Sequence, residues 1–152
     1  RTPEQSLSAR VSPGAPVPAF VAQDAQGRTI ALSDLKGRVV YLNFWATWCS
    51  ACLKKMDVFN ALAPDLNAAG VQIVNVSIDD NAQAWRELLQ ERQYVGYQIL
   101  ASYSDPHQNL ARLFGVEAVP QYFLIARNGT FAEKPYSAQP NEVFKRLLEL
   151  SR

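Results

Sequence analysis

The stretch Val39-Val40-Tyr41-Leu42-Asn43-Phe44-Trp45-Ala46-Thr47-Trp48-Cys49-Ser50-Ala51-Cys52 decides the reading of this chain. Its first eight residues are almost continuously apolar, as a central strand covered on both faces should be. Its last four hold the only two cysteines. Downstream, Leu53, Met56, Phe59, Leu62 and Leu66 recur at helical spacing, and Gly70 is the expected stop. A helix starting at Cys49 places that thiol at the positive end of the helix, where the thiolate is stabilised. Cys52, one turn on, falls within disulfide reach. Strand, turn and helix together point to a reversible dithiol/disulfide centre.

Competing readings of the cysteines are weaker. A loop closed two residues apart is too small to staple a fold. Zinc needs four ligands, or three plus water, and the chain offers two Cys and one His, His107. No metal or other cofactor is therefore expected. The formal net charge of +1 gives no electrostatic case for nucleic acid or an anionic membrane. No apolar run approaches the roughly 20 residues that span a bilayer.

Outward from the dithiol the chain reads as one domain of 152 residues. Residues 1–16, rich in Ser and Pro, are expected to be a flexible leader or linker, with the folded domain spanning 17–152. Because the chain starts at Arg1 and not Met, any signal peptide or anchor is expected to have been processed or left off. Phe20 to Leu32, with Gln26-Gly27 inside it, predicts a hairpin. Ser33 to Gly37 predicts a single helical turn. Strands are expected over Val71–Ile78, Tyr97–Ser102 and Gln121–Ala126, the last turning at Asn128-Gly129 into a strand over Phe131–Lys134.

Helices are expected after Asp80-Asn81 on an inner face of Ala82, Trp85, Leu88 and Leu89, after Asp105-Pro106, and from Pro140 onward. Pro64 is expected to kink or divide the helix that carries the cysteines. Alternating strands and helices closed by a hairpin predict an α/β layer fold with a mixed sheet.

The phrases SDLKGRVVYLNFWATWCSAC and GVEAVPQYFLIARNGT, in this order and at this separation, closely resemble the thioredoxin-like superfamily in its extracytoplasmic TlpA/ResA branch. The resemblance implies a thioredoxin fold: a central mixed sheet flanked by helices, with an N-terminal β-hairpin extension. It implies a thiol-disulfide oxidoreductase acting on cysteines or disulfides of extracytoplasmic proteins, in the bacterial periplasm or on the outer face of the cell membrane. A reductant or electron-relay role follows from the branch, with cytochrome c maturation as its typical task and a membrane or periplasmic redox partner upstream.

By resemblance, Cys49 attacks and Cys52 resolves. Pro120 matches the family's cis-proline, the Val119 backbone would face the substrate chain, and Trp48 would present an apolar surface to a partner. Asn43 stands where many thioredoxins hold a buried aspartate, Ile78 near where some of this branch hold a glutamate, and Lys55 where the branch often has glutamate. Exchanging acids for these residues should favour the Cys49 thiolate, with Lys55 modulating its pKa.

His107 is read as a surface residue, and Asp79 and Asp80 as strand-end acids of which helix capping accounts for at least one, with a proton-relay role as the alternative. Of Tyr122 and Phe123, one is expected in the core and the other along the substrate groove. Two other functions compete: a redox-inactive binding module on the same fold, and a peroxiredoxin. The latter normally shows proline and threonine ahead of its cysteine; Thr47 is present, but residues 44–46 supply no proline.

Overall fold

The computed structural model describes residues 11–102, 104–105, 109–133 and 139–152. Strand β3 (Val40–Trp45) is buried at every position, as its continuous apolar run predicts. It lies between β4 (Gln72–Ser77), parallel to it, and β6 (Gln121–Ile125), antiparallel to it. β5 (Tyr97–Leu100) adds in parallel beyond β4, giving the order β5-β4-β3-β6. Side chains alternate across this sheet and build two apolar layers. Val40, Leu42 and Phe44 join Phe114, Phe123 and Phe131 on one face. Tyr41 joins Phe59, Leu66, Tyr122 and Leu147 on the other, beneath helices α1 (Ser50–Ala68) and α4 (Pro140–Ser151).

The expected hairpin is present as β1 (Val21–Gln23) and β2 (Thr29–Ala31). Gly27 takes its turn at φ +81, in the left-handed region that suits glycine. Asp24 fixes the turn by accepting from the Gln26 and Arg28 amides and from the Arg28 guanidinium. Ala25 N donates to Gln98 O at 2.8 Å, so the hairpin covers the β5 edge of the sheet. A 3-10 turn over Leu32–Leu35 leads into β3. At the opposite edge, Gly14 N donates to Phe131 O and Pro16 bridges to Thr130. Gly14 and Pro16, at the end of the expected leader segment, are thus tied to the chain that follows β6.

Several elements differ from the sequence reading for identifiable reasons. α1 is one uninterrupted helix of 19 residues, not divided at Pro64. Pro64 is exposed, and its missing N–H removes a single helical bond, the one to the Asn60 carbonyl, without breaking the helix. Its buried face is Cys52, Met56, Phe59, Ala63 and Leu66, spaced four and three in turn; Leu53 and Leu62 are only partly covered. α2 (Ala82–Arg92) is capped by Asn81, whose side chain accepts from Ala84 N. α3 is short, Leu110–Leu113, and its cap is Asn109 rather than Asp105. Past Asn128-Gly129 the chain makes single bridges at Thr130 and Phe131. Pro106, His107 and Lys134 lie outside the described residues.

Candidate active site

The site sits where β3 ends and α1 begins. Trp45 closes the strand, the Cys49 amide donates to Ala46 O at 3.1 Å, and that turn delivers Cys49 as the N-cap of α1. Leu53 N then donates to Cys49 O at 3.1 Å as the first helical bond. Cys49 and Cys52 are joined in a disulfide. Cys52 N points at Cys49 Sγ from 3.1 Å, so on reduction a helix-terminal N–H is already in place for a thiolate. The two sulfurs are not equivalent. Cys49 keeps 8% of its surface accessible and Cys52 only 1%, so an incoming partner meets Cys49 first.

Opposite the pair lies the loop that ends at β6. Val119 O is 3.9 Å from Cys49 Sγ, and the Val119–Pro120 peptide is cis. The fold thus brings Cys49, Cys52, Val119 and Pro120 together from two segments 70 residues apart. Trp48, at 69% exposure, stands beside them with its ring in solvent. Beneath the turn, Trp45, Cys49, Cys52, Met56, Trp85 and Tyr94 form one apolar cluster, with Ile78, Leu88, Leu89 and Val119 packed against it. Tyr94 lies edge-on to Trp45 at 5.9 Å. Its hydroxyl donates to Asp57 at 3.1 Å, and burial, followed by the charge of Asp57, pushes its phenol up to about 12.

The other expected site residues fall as follows. Asn43 is buried in β3 and donates to Asn75 Oδ1 on β4. Ile78 is partly buried against the dithiol cluster. Lys55 lies half-buried on α1, one turn beyond Cys52. Neither Tyr122 nor Phe123 lines a groove: both are buried, on opposite faces of the sheet. Neither Asp79 nor Asp80 supplies the α2 cap. Asp80 is exposed and accepts from the Ser102 and Ser104 hydroxyls, which hold its carboxyl below the usual range. Asp79 is buried and accepts from Thr47. The sequence signal for that contact is slight: a serine and an aspartate, Ser77 and Asp79, bracketing one apolar residue at a strand end.

A dithiol at a helix N-terminus, a less accessible second sulfur and an opposing Val-Pro loop on this sheet define a thiol-disulfide oxidoreductase of the thioredoxin fold. The chain belongs to the AhpC/TSA family, whose pattern it matches over residues 13–134. It is 36% identical over 129 residues to the thiol-disulfide oxidoreductase ResA of Bacillus anthracis, an alignment covering 85% of this chain and 72% of that one. To ResA of Bacillus subtilis it is 32% identical over 119 residues, 78% of this chain and 64% of the other. A crystal structure from Chlorobium tepidum described as a thiol:disulfide interchange protein DsbE superposes with a TM-score of 0.78 at 28% identity, covering 93% of this chain and 98% of that one. The thioredoxin domain of a Bacteroides vulgatus oxidoreductase shares the fold at a TM-score of 0.81 and 21% identity, over 93% and 99% of the two chains.

Proposed function

We propose that this protein reduces, or relays electrons to, disulfides in extracytoplasmic proteins, with Cys49 as attacking and Cys52 as resolving sulfur. The observation that carries this assignment is the asymmetry of the pair: Cys49 is the more accessible sulfur and alone receives a helix-terminal N–H, from Cys52. In the reduced protein the Cys49 thiolate attacks one sulfur of a substrate disulfide. A Cys49–substrate disulfide forms and the other substrate sulfur leaves as a thiolate. The Cys52 sulfur, losing its proton, then attacks Cys49 Sγ. The Cys49–Cys52 disulfide closes, the second substrate sulfur is released, and two electrons have passed to the substrate.

Around this exchange, Trp48 supplies apolar contact area, and the Val119 backbone offers strand-like hydrogen bonds to the substrate chain. Lys55 favours the thiolate as a nearby cation. A redox partner upstream, itself a dithiol, returns the electrons. The ResA and DsbE names of the relatives support a periplasmic or cell-surface setting, and by resemblance cytochrome c maturation as the task. Among the described residues no helix is long and apolar enough to cross a membrane. The peroxidase alternative gains nothing from Thr47, whose hydroxyl donates to Asp79.

Single-cysteine variants test the roles. Cys49→Ala abolishes exchange with insulin or a disulfide peptide, while Cys52→Ala accumulates a mixed disulfide that dithiothreitol releases. Wild-type exchange rates in both variants would sink the assignment.

A further inference from the structure

At the end of the sheet opposite the dithiol lies a cavity for which the exchange mechanism has no use. Val40 opens β3 and Trp45 closes it, so the two places are separated by roughly 16 Å of strand. The cavity encloses about 200 Å³ between the 3-10 turn, the start of β3 and the chain that follows β6. Buried Leu35, Val40 and Ile125 form its floor, and half-buried Leu32 and Ala126 its sides. Its wall is almost wholly apolar. Three exposed cations, Lys36, Arg38 and Arg127, stand at its rim, and no carboxylate lines it. Arg127 is engaged, its guanidinium donating to Ser151 O at the end of α4. Lys36 and Arg38 form no ion pair among the described residues. Asp34, on the same turn, is committed elsewhere and accepts from Ala31 N at 2.9 Å.

We propose that this cavity binds a free, unbranched alkyl carboxylate, with the tail inside and the head between Lys36 and Arg38. Two features select that chemistry. An apolar wall takes a hydrocarbon without stranding any polar group, whereas a peptide main chain would bury N–H and C=O groups with nothing to pair them. The unpaired cations at the mouth favour an anionic head over a neutral or cationic one. Counting roughly 30 Å³ for each water-sized group, the cavity takes a tail of about six or seven carbons, so octanoate fills it. A lipid chain that spans half of a roughly 30 Å bilayer core is too long for it. None of these residues touches the dithiol, and binding here is independent of the exchange reaction.

The test is an NMR titration of the full chain with butanoate, hexanoate, octanoate and decanoate, read from the backbone amides. Shifts gather around Leu35, Val40 and Gly129. Affinity rises about two- to fourfold for each methylene as far as octanoate, and levels off beyond it. Octanol binds about threefold more weakly than octanoate, and octylammonium about tenfold. Lys36→Ala and Arg38→Ala, at exposed positions where folding is not at stake, each lower octanoate affinity about two- to fivefold and leave octanol affinity unchanged. Leu32→Gln puts an amide into the wall and weakens octanoate and octanol alike. No shifts, shifts scattered over the surface, or octylammonium binding as tightly as octanoate overturns the proposal. Sedimentation with phosphatidylglycerol vesicles in the absence of octanoate shifts would give this face to a membrane. A dimer that Leu32→Gln dissociates, again without octanoate shifts, would give it to a second copy of the chain. Either result overturns the proposal as well.

Discussion

Asn43 on β3 and Asn75 on β4 face each other as ladder partners, and the Asn43 amide donates to Asn75 Oδ1 at 3.0 Å. A donor is required at residue 43, because what faces it is an acceptor. Asn43→Asp installs the acid that many thioredoxins carry there, but only its protonated form can donate to Asn75. Its carboxyl is therefore raised in the folded state, and the stability it leaves intact at low pH is lost as pH rises through that raised value. At pH 7 the variant is expected to lose on the order of 1–3 kcal/mol. Denaturant unfolding from pH 4 to 8 checks this, and a stability difference that does not grow with pH would contradict it.

Trp48 is 69% exposed and immediately precedes Cys49. Trp48→Ala leaves stability within about 0.5 kcal/mol, since little is buried by the ring. Exchange with glutathione, which needs only the sulfur, is unchanged. Exchange with a protein disulfide falls about five- to tenfold, the cost of an interfacial aromatic worth a little over 1 kcal/mol. Equal losses with both substrates would show that the ring acts on the dithiol and not on the partner.

Tyr94 links α1 to the cluster under the dithiol through Asp57, which also accepts from Arg92 at 2.5 Å. Its phenol is raised from 10.0 to about 12, by burial first and by Asp57 second. The folded state thus holds the proton more tightly than the unfolded chain. The stability so contributed is complete below pH 10 and is lost as pH climbs from 10 toward 12. Tyr94→Phe removes this slope and costs about 0.5–1.5 kcal/mol at pH 8 through the lost hydrogen bond. Unfolding midpoints from pH 8 to 12 should converge for the two proteins; parallel curves would refute the account.

Period and punctuation made much of this fold legible. The continuous run of β3, the N-terminal hairpin and the Gly70 stop all lie where periodicity and turn residues place them. The errors share a cause. Leu53 and Leu62 outrank Cys52 and Ala63 in a hydrophobic pattern because a large apolar side chain outweighs a small one, whereas tight packing against the sheet favours the small residues that are buried. Tyr122 and Phe123 could not be separated because a strand covered on both faces has no solvent side. Asp79, Tyr94 and Asn75 reach their partners across sequence separations of 32 to 37 residues, and no local pattern carries such contacts.

The cluster beneath the turn has one further consequence. The chain has three tryptophans: Trp45 and Trp85 pack with the two sulfurs, and Trp48 adjoins Cys49 in sequence. No indole is left elsewhere to supply a constant background. Disulfides quench indole emission, so opening the Cys49–Cys52 bond should brighten the fluorescence of the whole molecule. The protein carries an optical gauge of its own oxidation state, readable in real time without any label.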